Sequence, residues 1–329
     1  MKLNGKYRIL LFILGASFIA SCGKESDDTI VRESVSMGTT ITIKAIHPAK
    51  DTANKAITEA LKEIERINQK YSTYISDNFM ASLNDPLNDT LIVDAETFML
   101  LQKCDEIHKQ TLGTFDAAIG NLIEIMGFEA GDPQLPPHDV ILKTLDEVGW
   151  KHIELMHDSI LIKHKHVTIN FGGIAKGYAV DQACKILSGY NIESYMVNAG
   201  GEVRGYGKDW KIGIKHPRIE NTLLGKIVLN NTSIATSGDY EQYFKKDDKR
   251  YSHIINPVTG LPSDESQSVS VIAENNIDAD GLATGVFILG PEKGMEIIEK
   301  LNNIECLIVD NSGKIHRSSG IGKYLKEEN

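Results

Sequence analysis

The segment from Thr168 to Asp181 holds the residues best suited to bind an anion. An apolar run ends at Gly172 and Gly173, and a helical pattern that carries Lys176 follows directly. Glycines let the backbone approach a ligand, and the first turn of a helix offers unpaired N–H groups, to which a lysine adds a full positive charge. The segment therefore predicts a strand, a turn and a helix that bind a phosphate-bearing ligand. An ordinary strand-to-helix turn is the alternative for this motif taken alone.

Two other places could carry chemistry, and each also has a structural explanation. Asp280 and Thr284 are four residues apart at the start of a predicted helix, so their oxygens share one face and could hold a hard cation. Taken alone, the pair is better explained as a helix cap and a buried hydroxyl. His253 lies in a short apolar strand before the turn 257–260 and could act as a general base at neutral pH, although a lone histidine is more often structural.

Further glycine-containing segments are less specific. Residues 113–116 (Gly-Thr-Phe-Asp) place an aromatic ring and a carboxylate just after a predicted helix. The turn 198–202 is expected to be architectural, whereas the small hydroxyls of 235–240 suit either close approach to a ligand or an ordinary turn. Residues 205–207 lack the third glycine and the following helix of a dinucleotide-binding motif, so no such site is predicted there.

The first residues are typical of an export signal. Basic residues at positions 2, 6 and 8 precede the apolar run 9–20, which is too short to span a membrane comfortably. Residues 19–22 (Ile-Ala-Ser-Cys) are similar to a bacterial lipobox, which predicts cleavage after residue 21 and acylation of Cys22. A cleavable secretory peptide without lipid is the alternative. We expect residues 22–34 to form the acylated cysteine and a flexible tether, since 23–32 are poor in apolar side chains.

Charge and cysteine content exclude some classes of function. Residues 1–21 contain three basic residues and no acidic ones, so the mature chain keeps 45 acidic and 32 basic residues, a formal net charge of −13. Nucleic acid is therefore not an expected partner. Cys104, Cys184 and Cys306 are far apart in apolar patterns, which predicts buried free thiols and does not support a zinc site. A disulfide between two of the three, in an oxidising compartment, is the alternative.

The pattern of elements predicts an α+β fold. Helices and strands are mixed without the strict alternation of a doubly wound sheet. A loop is expected at 71–86, and a hairpin followed by a third strand at 153–171. The other predicted strands cover residues 35–46, 194–198, 210–215, 224–229, 268–273 and 305–309. The predicted helices start after Asp51, with an apolar stripe at 57, 61, 64 and 67, and cover 94–112, 174–187, 280–289 and 292–301.

The order of these motifs resembles the ApbE family of FAD:protein FMN transferases. The resemblance extends from about Val35 to near the C-terminus. The motifs that carry it are 37–39 (Met-Gly-Thr), 72–74 (Ser-Thr-Tyr), 113–116, 170–181, 198–201, 236–240, 253–260 and 279–284. It implies a single α+β catalytic domain over residues 35–329, related to the T-fold, either undivided or with two lobes around the FAD.

This resemblance also implies an activity. It is the Mg²⁺-dependent transfer of FMN from FAD to a threonine of an acceptor protein, with release of AMP. The implied acceptors are flavoprotein subunits of ion-pumping respiratory complexes. The implied location is the bacterial cell envelope, lipid-anchored through Cys22 and facing the periplasm. An FAD pyrophosphatase that yields FMN and AMP, and a non-catalytic FAD-binding lipoprotein, are the alternatives.

The resemblance assigns roles to individual residues. The implied FAD contacts are Met37, Tyr74, Thr114, Phe115, Asp116, Asn170, Lys176 and Ile255. The implied magnesium ligands are Asp280, Thr284 and the main-chain carbonyl of Gly173, and the implied catalytic residues are His253, which would activate the acceptor threonine, and Lys176. The chain departs from the family pattern at Asn170, where some members have aspartate, and at Asn256, where many do. The change at Asn256 bears on the orientation and tuning of His253.

Overall fold

The computed structural model describes residues 29–164 and 166–326. The predicted signal peptide and Cys22 lie outside these residues. The predicted tether is wrong from residue 29 onward, because the strand Thr29–Ser36 pairs along its whole length with Thr39–Ile46. Such pairing orders a segment whose polar composition favoured a tether. Within the described part of the chain, no helix is both long and apolar enough to cross a membrane.

Sheet strands and helices are mixed along the chain. The strands are β1 (Thr29–Ser36), β2 (Thr39–Ile46), β3 (Thr90–Ile92), β4 (Ile153–Met156), β5 (Ile160–Lys163), β6 (Ser194–Ala199), β7 (Glu202–Tyr206), β8 (Trp210–Lys215), β9 (Leu223–Leu229), β10 (Thr232–Gly238), β11 (Tyr243–Lys246), β12 (Lys249–Ser252), β13 (Ser266–Ala273), β14 (Glu305–Asp310), β15 (Ile315–Arg317) and β16 (Leu325–Lys326). The helices are α1 (Lys50–Tyr71), α2 (Phe79–Leu83), α3 (Ala95–Gln110), α4 (Gly120–Ile125), α5 (His138–Glu147), α6 (Ala175–Gly189) and α7 (Asn276–Ile298).

An eight-stranded antiparallel sheet organises the domain, in the order β1-β2-β6-β7-β10-β13-β14-β15. Helices α1, α6 and α7 pack on one face, and the small sheet β16-β9-β8 packs on the other. Alternation along β6 shows the two faces: Val197 lies in the core under the helices, and its neighbour Met196 lies in the core under the small sheet. The predicted α+β class is confirmed.

Several predicted elements match the structure, and their signals were local. Helix α3 begins after Asp94, whose side chain accepts the N–H of Thr97 at 2.8 Å, and it ends just before Gly113, which has a φ of +84°. Helix α1 buries the predicted apolar stripe of isoleucines. The three cysteines in the described residues are buried and free, as predicted.

Other predicted elements need correction. The predicted strand 35–46 is a hairpin that turns at Met37 and Gly38, which have φ values of 51° and 71°. The predicted loop 71–86 contains α2. The two predicted C-terminal helices are the halves of α7, which kinks at Gly290 and Pro291. The predicted third strand of 153–171 does not form, because the backbone N–H and carbonyl of Ile169 bond to the Asn84 side chain and not to a neighbouring strand.

Candidate active site

The irregular segment 167–171 before α6 is held by side-chain hydrogen bonds and belongs to no sheet. Asn84 donates to the carbonyl of Ile169 and accepts its N–H, both at 2.8 Å. Asn170 then accepts the N–H of Gly172 at 2.7 Å through its side-chain oxygen. These bonds fix the path of the chain into the glycine turn, so the start of α6 is rigidly placed.

Helices α6 and α7 cap each other with buried carboxylates. Asp181 of α6 accepts the N–H groups of Asn276 and Ile277 at the start of α7, each at 2.9 Å. In return, Asp280 of α7 accepts the N–H of Gly177 in the first turn of α6 at 2.8 Å. Of the N–H groups in this turn, that of Gly177 is therefore not available to an anion, because a carboxylate of the protein already accepts it.

A charged cluster lies at the start of α6. The ammonium of Lys176 pairs with the carboxylate of Glu202, the first residue of β7, which is only 1% exposed. Asp280, 4% exposed, and Glu241 lie close enough for their charges to act on Lys176. Glu241 is exposed to solvent, so the single positive charge of Lys176 faces two buried carboxylates, those of Glu202 and Asp280. An excess of buried negative charge is costly, so the cluster is suited to a cation.

Burial and the neighbouring charges shift the pKa values of Asp280 and Lys176. Burial, together with the charges of Glu202 and Asp181, raises the pKa of Asp280 to about 7, although Lys176 and the Gly177 hydrogen bond act in the opposite direction. Burial works to lower the pKa of Lys176, but the charges of Glu202 and Asp280 outweigh it and raise that pKa above its usual value. Lys176 is therefore fully charged at neutral pH.

The predicted magnesium ligands lie together. A methyl group added at Gly173 would sit 3.2 Å from Oγ1 of Thr284, so the glycine turn lies against that hydroxyl. Thr284 is one helical turn beyond Asp280, and Ser237 of β10 lies 3.3 Å from its Oγ1. Oxygen ligands with one carboxylate suit Mg²⁺. No cluster of three or more His, Cys, Asp or Glu side chains that could hold a metal occurs in residues 29–164 and 166–326.

An orphaned oxygen supports this fit. Oε2 of Glu202 is buried and has no hydrogen-bond partner among the described residues. A buried carboxylate oxygen without a hydrogen-bond donor is unfavourable unless a ligand supplies a donor or a nearby cation compensates the negative charge. The residues present therefore fit a divalent cation beside Asp280.

His253 follows β12 at the edge of the same site. Its Nδ1 lies 3.2 Å from the backbone oxygen of Gln242, and because a carbonyl only accepts, Nδ1 carries the hydrogen and Nε2 keeps a free lone pair. Its ring lies 6.3 Å from that of Phe128. Burial and the charge of Lys176 lower the pKa of His253 to about 4, against the effect of the hydrogen bond to Gln242. The imidazole is therefore neutral at physiological pH.

Two predicted FAD residues share a glutamate that the sequence did not single out. Glu129 accepts from the amide of Asn170 at 3.0 Å and from the hydroxyl of Thr73 at 2.5 Å. Tyr74, which is 64% exposed, lies beside Glu129 and Gln242. Through Gln242 this group reaches His253, so the structure brings these residues to one side of the site.

Three further predicted FAD residues, at 114–116, are more firmly tied to the protein. Thr114 lies 2.9 Å from the carbonyl of Gly285, and Phe115 is buried against Gly173. Asp116 accepts the N–H groups of Ala118 and Trp150, both at 2.8 Å, and burial raises its pKa. Its carboxylate therefore holds a turn.

Two predicted FAD contacts lie in apolar surroundings. Met37 forms the β1–β2 turn and packs against the main core. Ile255 is buried in a small core with Met126 and Ile141. The contact of these two residues with FAD stays a prediction.

Glu202 and Glu129 are the site residues that sequence reasoning missed. Glu202 follows two glycines after a strand, in a turn that was expected to be architectural, and that position was a usable signal. Glu129 lies in an irregular segment beyond α4 with no motif around it. Its role depends on contacts with residues distant in sequence.

The close packing of α6 on α7 yields a first prediction. A methyl group at Gly177 would lie 2.5 Å from the carbonyl of Asn276 and 2.8 Å from Cβ of Asp280. We expect Gly177→Ala to destabilise the protein by about 2 kcal/mol, because the helices must separate. Urea denaturation followed by circular dichroism measures this. Gly189→Ala in the same helix is the control, since nothing lies within 4 Å of its added methyl, and equal stability of the two variants would contradict the prediction.

The fold and the site together define a class of protein. A cation-suited carboxylate, a lysine and a neutral histidine lie around a glycine turn on an antiparallel α+β domain, an arrangement suited to a phosphate-bearing substrate. The sequence pattern of the ApbE family matches residues 37–308, and the chain belongs to this family.

Individual relatives agree with this assignment. The chain is 33% identical to the FAD:protein FMN transferase of Haemophilus influenzae, over 97% of each chain. Among solved structures, it resembles the ApbE protein of Thermotoga maritima with a TM-score of 0.85 and 31% identity, over 91% of this chain and 100% of the other. It resembles the flavin transferase ApbE of Vibrio cholerae with a TM-score of 0.81 and 30% identity, over 90% of this chain and 99% of the other.

Proposed function

We propose that this chain is a flavin transferase that moves FMN from FAD to a threonine hydroxyl of an acceptor protein and releases AMP. The names of its relatives support the flavin transferase activity. The observation that carries the proposal is the meeting, at the start of α6, of a charged Lys176, a cation-suited Asp280 and a neutral His253.

The reaction exchanges one bond to phosphorus for another. The acceptor oxygen forms a bond to the phosphorus of the FMN half, and the bond from that phosphorus to the bridging oxygen breaks, so AMP leaves. The threonine proton needs a base, and Nε2 of His253 is free to take it because Nδ1 is bonded to Gln242. Lys176 supplies fixed positive charge next to the diphosphate.

The cation site follows from the same residues. Asp280, Thr284 and the carbonyl of Gly173 would hold Mg²⁺. When bound, Mg²⁺ would neutralise charge on the diphosphate and on the leaving AMP. Asp280 is fixed for this role by the N–H of Gly177. FAD is the substrate, with Met37, Tyr74, the 114–116 segment, Asn170 and Ile255 as its proposed contacts.

We further propose a cellular setting from the sequence. Acylation of Cys22 would tether the domain to a membrane of the bacterial envelope, facing the periplasm. The domain would begin with β1 instead of after residue 34. Acceptors would be flavoprotein subunits of ion-pumping respiratory complexes, which present a threonine.

The test uses the full-length protein in detergent with FAD, MgCl₂ and an acceptor fragment that carries the threonine motif, followed by intact-mass spectrometry. We expect the fragment to gain the mass of an FMN phosphoester, and to gain nothing with EDTA or when its threonine is replaced by valine. FMN and AMP without a labelled fragment would favour the pyrophosphatase. Intact FAD would indicate a binding protein and overturn the proposal.

A further inference from the structure

The Glu202 side chain forms an ion pair with Lys176. Glu202 begins β7 directly after Gly200 and Gly201, whose φ values of 74° and 125° form the turn that pairs β7 with β6. Its side chain is almost fully buried. One oxygen pairs with the Lys176 ammonium, and the other has no hydrogen-bond partner in the part of the chain that the structure describes. The ion pair with Lys176 is thus the main interaction of this buried carboxylate.

Lys176 also interacts electrostatically with a second buried carboxylate, that of Asp280. Its charge acts on Asp280, and the Asp280 charge acts on it. Yet among the described residues its side chain forms an ion pair only with Glu202, and Asp280 bonds instead to the N–H of Gly177. A lysine side chain is long and flexible, so its ammonium goes to whichever carboxylate binds it best. Glu202 therefore decides where the ammonium rests.

We propose that Glu202 is a positioning residue that holds the Lys176 ammonium away from Asp280 and so keeps the Asp280 carboxylate free for a divalent cation. This inference rests on the proposed function and adds to it a residue outside the predicted site. Without Glu202, the ammonium would turn to Asp280, the remaining buried carboxylate of the cluster. A cation would then have to displace an internal positive charge before it could bind.

The consequence is a measurable coupling between the two residues. Glu202→Gln keeps the size of the side chain and removes its charge, and we expect it to weaken Mg²⁺ binding by about ten- to a hundredfold. Lys176→Met removes the competing ammonium. If Glu202 acts through Lys176, then Lys176→Met should restore binding far more strongly in the Glu202→Gln background than it raises binding in the wild type.

The experiment is calorimetric titration of the full-length protein with MgCl₂ alone, for wild type, Glu202→Gln, Lys176→Met and the double variant. We expect Lys176→Met to raise the Mg²⁺ affinity by a factor at least about tenfold larger in the Glu202→Gln background than in the wild type. This ratio corresponds to a coupling free energy of about 1.4 kcal/mol. Equal gains in both backgrounds would mean that Glu202 acts on the cation directly or only through its charge, and would overturn the inference. Unchanged Mg²⁺ affinity in Glu202→Gln would overturn it as well.

Two further variants keep the outcome clear. Glu96→Gln makes the same chemical change in another ion-paired glutamate, which binds Lys70 at 2.7 Å, and it should leave Mg²⁺ affinity unchanged. If Glu202→Gln does not fold, Glu202→Asp keeps the charge on a shorter side chain and should show a smaller loss of Mg²⁺ affinity, again reversed by Lys176→Met.

A wild type that transfers FMN while the coupling is absent overturns this inference alone. A wild type that binds no Mg²⁺ overturns the cation site as well.

Discussion

Asp280→Asn is expected to lower the rate of Mg²⁺-dependent FAD cleavage by about a thousandfold, because it removes the one charged ligand of the proposed cation site. The amide oxygen of asparagine can still accept the N–H of Gly177, which Asp280 accepts at 2.8 Å. The pKa of Asp280 is raised to about 7, so a neutral side chain suits this buried position. The variant should therefore fold and bind FAD.

The measurement is AMP release by chromatography across a series of Mg²⁺ concentrations, with thermal unfolding as the check on folding. Asp278→Asn is the matched control, since it makes the same change two residues earlier in α7, where Asp278 pairs with Lys103 at 2.9 Å. That partly exposed pair should contribute little, and the rate should stay within about twofold of wild type. Unchanged turnover in Asp280→Asn would remove the metal assignment.

Elements with strong local signals could be predicted from the sequence. The apolar stripe of α1 and the Asp94 cap of α3 each act within a few residues, so their helices were found. The hairpin turn was missed because Met37 adopts a φ of 51°, which no β-turn rule assigns to methionine. Strand β10 was missed because its small hydroxyl side chains also suit a turn.

The sequence predicted which residues belong to the candidate site, but not which of them contact each other. The residue types around 170–176, 253 and 280–284 indicated a site for a phosphate, a base and a cation. In the structure Gly173 lies against Thr284, and the charge of Lys176 acts on both His253 and Asp280. The Glu202 partnership joins positions 26 apart, and the Asp280 hydrogen bond joins positions 103 apart. Such contacts depend on how β7 and α7 pack on α6, which no local pattern encodes.

His253→Asn is expected to lower the rate of FMN transfer to the acceptor by about a hundred- to ten-thousandfold, the usual contribution of a general base. The Asn side-chain N–H can replace the Nδ1–H that faces Gln242, but asparagine has no basic nitrogen in place of Nε2. Cleavage of FAD by water relies on the cation and Lys176, so it should fall less than transfer. Acceptor labelling and AMP release, measured in one reaction, separate the two rates.

The pH dependence of transfer tests the same assignment in the wild type. A base works in its deprotonated form, and the pKa of His253 is lowered from 6.5 to about 4 by burial and the charge of Lys176. At saturating Mg²⁺, the transfer rate should therefore stay level from pH 8 to about pH 5.5 and decline only below, whereas an ordinary histidine would halve it near pH 6.5. A variant His253→Asn that labels the acceptor at the wild-type rate would eliminate His253 as the base. A wild-type midpoint near 6.5 would instead retain the base and show that the site is more hydrated, or more negative once FAD is bound, than the free protein.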